Sequence, residues 1–143
     1  MARRFRYSTF VAFSLLLSSQ AFAASTTVMV AEDGEGGGPM TITLDKTTVP
    51  AGQVTFKVHN HAASEEHEMV LVKLKSADQM IAVNAAKHRV DESKLKSLGE
   101  VADLKPGKDG QLSVSLTPGS YLLLCNIKGH FEAGMKASFT VTP

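Results

Sequence analysis

Apolar and polar residues alternate along much of the chain. Every second residue is apolar in residues 40–44, 53–58, 111–116 and 136–141, as in MTITL and QVTFKV. Alternation with period two is typical of strands that bury one face. Turn sequences that contain proline and glycine, such as VPAGQ and LTPGS, separate these runs. The pattern predicts an all-β fold, a Greek-key β-sandwich.

Two stretches depart from this alternation. From Ser76 to Gly99 no period-two pattern is present, and Ser76 and Gln79 have the spacing of a capping box at the start of a helix. We therefore expect a short helical insertion, with one or two short helices, in the sandwich. The acidic, glycine-rich sequence EDGEGGGP predicts a mobile loop.

Residues 1–23 have the three parts of a secretory signal peptide. The basic sequence MARRFRYST precedes an apolar segment, FVAFSLLL, which is followed by the small residues of SSQAFA. The apolar segment is too short to span a bilayer, and Ala21 and Ala23 match the A-x-A cleavage pattern. We expect cleavage after Ala23, leaving residues 24–143 as one domain in the bacterial periplasm, without a membrane anchor.

The charge balance argues against a nucleic-acid partner. The sequence carries 15 basic and 14 acidic residues, and the signal peptide accounts for Arg3, Arg4 and Arg6. The exported domain is therefore mildly acidic, whereas nucleic-acid-binding domains carry clustered positive charge.

Cys125 is the only cysteine in the sequence. In an oxidising compartment, a thiol without an internal partner is a liability unless something occupies it. A disulfide to another molecule is one explanation, and a bound metal is the better one.

The residues around Cys125 support the metal. The strand SYLLLCN directs Cys125 inward, and residues 126–134 form a loop that can bring His130 and Met135 to the same point. Thiolate, imidazole and thioether are the donors of a copper site with two histidines, one cysteine and a weak axial methionine. A second histidine is needed, and His67 opens the strand HEMVLVKL directly after a loop. We select His67.

The other histidines have simpler explanations. His59 falls on the outward face of its strand, His61 lies in the loop that follows, and His88 lies on the surface of the predicted insertion. An exposed H-x-H sequence can bind metal, but we expect no specific site at His59 and His61.

The sequences VTFKVHNHAASEEHEMVL and GEVADLKPGKDGQLSVSLTPGSYLLLCNIKGHFEAGMKASFTV resemble a small bacterial cupredoxin of the plastocyanin and azurin superfamily. The resemblance covers nearly all of residues 24–143, and C-x4-H-x4-M at a strand–loop–strand junction is its most specific feature. It implies a type 1 copper site with one copper, in which His67, Cys125 and His130 are strong ligands and Met135 is the weak axial ligand. Plastocyanin and azurin carry asparagine directly after the first histidine, whereas this chain has Glu68.

The resemblance implies a monomeric one-electron carrier whose partner is a redox protein, such as a periplasmic cytochrome or a copper oxidoreductase. The alternative is a copper-binding or copper-resistance protein that sequesters or delivers copper, suggested by the additional histidines of HNHAASEEHE. An enzyme is not expected, because multicopper enzymes need several histidine pairs. We expect electrons to leave through His130, with Phe131 on an apolar rim and Lys128 close by.

Overall fold

The computed structural model describes residues 25–143, and the predicted signal peptide lies outside this range. The described part of the chain forms eleven strands and one 3-10 helix, Glu92–Lys94. The strands are β1 (Thr26–Asp33), β2 (Thr41–Leu44), β3 (Thr48–Pro50), β4 (Gly52–Asn60), β5 (His67–Lys73), β6 (Val83–Asn84), β7 (Arg89–Val90), β8 (Lys96–Leu104), β9 (Asp109–Leu116), β10 (Gly119–Leu124) and β11 (Lys136–Thr142).

Two sheets form the sandwich, which confirms the predicted fold class. One sheet has the order β2-β1-β4-β9 and the other has the order β3-β11-β10-β5-β8. Most neighbouring strands are antiparallel, but β1 and β4 pair in parallel, as do β11 and β3. Sequence-distant strands therefore become neighbours, and β5 lies beside β10.

The alternating apolar residues meet between the sheets. The inner faces of β4 and β10 contribute Val54, Phe56, Tyr121 and Leu123 to one buried cluster that also contains Cys125. The inward direction predicted for Cys125 is therefore confirmed. Burial of the large apolar side chains at roughly 1.5–3 kcal/mol each supplies most of the folding free energy without a metal.

A second apolar cluster lies on the outer face of the larger sheet. It contains buried residues of β5, of β10 and of the loop between β10 and β11, residues 125–135, which we call the ligand loop. Residues 81–95 cover them. Its buried members are Val70, Val72, Val90, Leu122, Leu124 and Phe131, and Ile81, Val83 and Leu95 are partly buried against them.

Residues 81–95, which cover this second cluster, contain little of the helix that we expected. The helical part of the insertion is the single 3-10 turn Glu92–Lys94, and β6 and β7 form a small hairpin. The Gln79 N–H donates to Ser76 O and the Gln79 side chain accepts from the Lys75 N–H, so these residues close a turn, and no helix follows. An extended chain lets Ile81 and Val83 face the outer cluster, and this tertiary packing overrides the local helix signal.

No helix in residues 25–143 is long and apolar enough to cross a membrane.

Candidate metal centre

Three of the predicted ligands converge at one end of the sandwich. Candidate ligand atoms of His67, Cys125 and His130 all lie within 4.8 Å of one another. His130 Nδ1 lies 3.2 Å from His67 Nδ1 and 3.4 Å from Cys125 Sγ. His67 and Cys125 have no exposed surface, and His130 is 6% exposed. The three side chains therefore lie together in space, although His67 is far from the other two in the sequence.

Strand β5 aims His67 into the interior. His67 is the first residue of β5, and the pairing of β5 with β8 shifts register between His67 and Met69. A register shift of this kind, as at a β-bulge, can re-aim a side chain at the end of a strand. His67 therefore enters the space between the sheets.

The ligand loop is closed by backbone hydrogen bonds. The Cys125 N–H donates to Met135 O at 3.1 Å, and the Met135 N–H donates to His130 O at 3.0 Å. Met135 is completely buried where the loop re-enters the sandwich, directly before β11. This closure holds the three loop residues of the predicted site next to one another before any metal binds.

The loop after β1 fixes the tautomer of His67. His67 Nε2 lies 3.3 Å from Gly34 O, so its N–H donates to that carbonyl and leaves the lone pair on Nδ1. Gly34 has φ +141°, and a Cβ there would lie 2.7 Å from Met40 Cγ, so a side chain is excluded. The glycine-rich loop therefore belongs to the site, a role that its composition did not indicate.

Burial keeps both histidines ready to bind a metal. Burial lowers the pKa of His67, and burial together with the neighbouring His67 lowers the pKa of His130. Both imidazoles are therefore neutral at pH 7, as metal ligation requires.

The thiol of Cys125 is protonated until a metal replaces its proton. Burial raises the pKa of Cys125 to about 12, and the backbone N–H groups of Ile127 and Glu68 partly offset that shift. The same two N–H groups would stabilise a thiolate ligand and tune its metal, because hydrogen bonds to a ligand adjust the electron density it donates.

Glu68, which stands where plastocyanin and azurin carry asparagine, links the two segments that carry the ligands. Its Oε1 accepts a hydrogen bond from the Asn126 N–H at 3.0 Å, which joins the residue after His67 to the residue after Cys125. Burial raises the pKa of Glu68, and this hydrogen bond partly offsets that shift. A carboxyl group at this position therefore still connects the two parts of the chain that carry the ligands.

Asn126 fastens the ligand loop to residues 81–95. Its Oδ1 accepts from the Val90 N–H at 2.6 Å, and its Nδ2 donates to Val90 O at 3.0 Å and to Glu92 Oε1 at 2.7 Å. Asn126 is 4% exposed, so these groups have little access to water. Sequence reasoning missed this residue, since its partners lie far away along the chain.

Replacing Asn126 by alanine should lower the free energy of unfolding by about 2–3 kcal/mol, because it leaves buried backbone groups of Val90 unpaired. Urea unfolding of the metal-free protein measures the loss. Asn84→Ala is the matched control, since exposed Asn84 caps a turn in the same insertion, and it should cost less than about 1 kcal/mol. Equal losses would contradict the role of Asn126.

The structure corrects the expectation for Phe131. His130 and Phe131 lie in a tight turn, in which the His130 N–H donates to Ile127 O and the Ala133 N–H donates to Gly129 O. The turn directs Phe131 away from His130 into the outer cluster, where it is 5% exposed. Phe131 therefore does not form a rim at the surface.

Other residues surround His130 at the surface. A depression of about 560 Å³ is lined by His130, by small or apolar residues, and by Glu65 and Lys128. The small or apolar residues are Gly36, Gly37, Gly38, Met40, Ile127, Gly129 and Ala133. Lys128 lies close to His130 as expected, and the glycine-rich loop takes the place predicted for Phe131.

The remaining histidines stay apart from this centre. His88 is exposed, as expected, and its Nδ1 lies 2.9 Å from Glu132 Oε2. His59 lies on the outer face of β4 and His61 in the loop that follows, as expected. None of these three belongs to the cluster formed by His67, Cys125 and His130.

The donor set fits copper. Two neutral imidazoles and a thiol meet in a buried site, and a buried thioether follows at Met135. Trigonal ligation by two histidines and a cysteine, with a weak methionine, is characteristic of blue copper sites. A structural zinc site would use four strong ligands, but the cluster in the described residues supplies three.

Known proteins resemble this chain in sequence and structure. No protein-family model matches it. Auracyanin-B of Chloroflexus aurantiacus is 34% identical over 60% of this chain, which spans only 40% of auracyanin-B. Auracyanin-A of the same organism, described as a "blue" copper protein, is 31% identical over 67% of this chain and 71% of auracyanin-A.

A solved structure of another auracyanin is also similar to this chain. The reduced auracyanin of Roseiflexus castenholzii is 27% identical and superposes with a TM-score of 0.58, covering 85% of this chain and all of that one. The identity and coverage shared with auracyanin-A, the fold and the clustered ligands point to the same family. The chain belongs to the cupredoxins, the blue copper proteins that include the auracyanins.

Proposed function

We propose that this protein is a periplasmic one-electron carrier that binds one type 1 copper through His67, Cys125, His130 and Met135. The convergence of His67 Nδ1, Cys125 Sγ and His130 Nδ1 in a buried cluster is the observation that carries the proposal. Bound copper supplies a centre that alternates between Cu(I) and Cu(II).

The protein's own residues limit the rearrangement of such a site. Gly34 O orients His67, the Glu68 carboxyl joins the two ligand-bearing segments, and Asn126 fastens the ligand loop to its cover. Ligands held in place before a redox change need little reorganisation, which favours fast electron exchange.

Burial of the ligands favours an electron carrier over a protein that delivers copper. His67 and Cys125 have no exposed surface, so a receiving protein cannot contact them without opening the sandwich. An electron, in contrast, can leave through His130, the strong ligand that borders the surface depression.

The signal-peptide pattern and the surface beside His130 support a compartment and a partner for this protein. Export to the periplasm is supported by the signal-peptide pattern of residues 1–23. The copper ligation proposed for Cys125 is compatible with export, because it would occupy the only thiol in an oxidising compartment. A redox protein such as a periplasmic cytochrome would dock on the depression beside His130, where glycines allow a close approach. Glu65 and Lys128 on its border would orient the partner.

Ala133→Glu should slow electron exchange with a periplasmic cytochrome about tenfold, because it adds a charge that must be desolvated on the docking surface. Stopped-flow spectroscopy at fixed ionic strength measures the rate. The copper spectrum should stay unchanged, since Ala133 provides only backbone hydrogen bonds to the loop.

Ala51→Glu is the matched control for this experiment. Ala51 is exposed, and its N–H donates to Thr142 O at the end of β11 opposite Met135. The same added charge should have little effect there. Equal rates in the two variants would place docking elsewhere on the surface.

A further inference from the structure

A second pair of histidines lies outside the buried centre. The ring centroids of His59 and His61 are 4.4 Å apart. His59 is on the outer face of β4, and His61 is exposed directly after that strand. The short distance between the centroids shows that the two rings lie side by side although His61 is outside the strand.

A carboxylate orients the first of these rings. His59 Nδ1 lies 2.7 Å from Asp109 Oδ1, and the two residues are register partners in β4 and β9. With Nδ1 engaged by the carboxylate, Nε2 is the nitrogen left for a ligand. Metal-binding histidines commonly carry this arrangement, in which an outer carboxylate fixes the ring and raises its basicity.

The backbone beside the pair is fixed. The His61 N–H donates to Glu32 O at 2.8 Å, and the Ala62 N–H donates to the buried Asn60 Oδ1 at 2.8 Å. A depression of about 360 Å³ beside His59, bordered by Met29, Lys57, Asp109 and Gln111, leaves room for water ligands. The backbone that carries the pair is therefore held in place, and both rings have access to solvent.

No specific site was expected here from the sequence alone, but from this geometry we infer that His59 and His61 form a second, exchangeable metal site on the outer sheet. The site takes a divalent ion that prefers imidazole, with Asp109 as the orienting residue. Cu(II) is the expected ion, because nitrogen ligands bind Cu(II) more tightly than they bind the other divalent ions of the first transition-metal row. One half-buried and one exposed imidazole, completed by water, bind and release the ion readily, whereas the buried ligands enclose theirs.

The site is tested on mature protein that already holds one equivalent of copper. Further Cu(II) is added by equilibrium dialysis, and electron paramagnetic resonance follows the signal of the added ion. We expect one further equivalent with the signal of a tetragonal nitrogen–oxygen site. The double variant H59A/H61A should lose this equivalent and keep its blue band. Asp109→Asn should weaken binding about tenfold.

His88→Ala is the matched control, because exposed His88 also has a carboxylate partner but is not paired with a second histidine ring. It should keep the second equivalent. Absence of a further equivalent in the unmodified protein, or its persistence in H59A/H61A, would overturn the inference. Unchanged affinity in Asp109→Asn would overturn the role given to Asp109. The blue band reports the buried centre alone, so these outcomes are independent of the proposed electron transfer.

Discussion

Replacing Cys125 by serine is expected to abolish the intense visible band of the copper-loaded protein while the sandwich remains folded. The band of a blue copper site requires a thiolate ligand, and Cys125 is the only cysteine in the sequence. A hydroxyl in this buried position costs about 1–3 kcal/mol. That cost is smaller than the roughly 5–15 kcal/mol that stabilises a typical domain.

Absorption of the copper-loaded variant and urea unfolding of the metal-free variant test the two halves of this expectation. His88→Ala is a suitable control for the band, because exposed His88 lies outside the cluster of ligands. A strongly coloured Cys125→Ser protein would refute the assignment of the thiolate. Loss of the cooperative unfolding transition would show that Cys125 is needed for folding as well.

The second large effect concerns Glu32, a carboxyl group enclosed in the core. Glu32 has no exposed surface, and neither of its carboxylate oxygens has a hydrogen-bond partner in the part of the chain that the structure describes. Burial, with a further contribution from the charge of Glu68, raises the pKa of Glu32 to about 8 from an ordinary value of 4.5. The native protein therefore retains a proton at Glu32 that the unfolded chain releases.

This difference makes stability fall as the pH rises. Below pH 4.5 the carboxyl group is neutral in both states, and between 4.5 and 8 only the unfolded state loses its proton. One pKa unit corresponds to about 1.4 kcal/mol, so we expect Glu32 to lower the free energy of unfolding by on the order of 4 kcal/mol between these limits.

Glu32→Gln should remove this component. The metal-free proteins are compared by urea unfolding at pH 5 and pH 8, and the quantity of interest is the difference between the two proteins. His67 and His130, whose pKa values are lowered, contribute equally to both and cancel. Exposed Glu100→Gln is the matched control and should keep the wild-type dependence. An unchanged dependence in Glu32→Gln would contradict the raised pKa.

Much of the fold and the buried cluster could be predicted from sequence because both depend on regular patterns. Period-two alternation identified the strands that carry Phe56, Leu116 and Phe139 into the core. The spacing of Cys125, His130 and Met135 across one short loop indicated the metal. His67 required a further step, namely that a histidine at the start of a strand reaches the end of a sandwich. The structure confirms that His67 lies with Cys125 and His130.

The remaining features depend on contacts between distant segments. Ser76 and Gln79 have a helix-start pattern, but burial of Ile81 and Val83 on the outer sheet favours an extended chain. Asn126 gains its importance only from Val90 and Glu92. The side chains of neighbouring residues in a turn point in different directions, so the position of the Phe131 ring could not be inferred from that of His130. No local pattern marks Glu32 as different from other acidic residues in strands.

The strand order of the larger sheet has a consequence for how the protein matures. Strands β10 and β11 are synthesised after β3, β5 and β8, yet they lie in the middle of that sheet, between β3 and β5. His67 is made long before Cys125, and the two meet only when β10 pairs with β5. Such sequence-distant pairing is slow and needs the complete chain. A nascent or truncated polypeptide therefore carries no copper site, and metal acquisition must follow synthesis of the C-terminal strands.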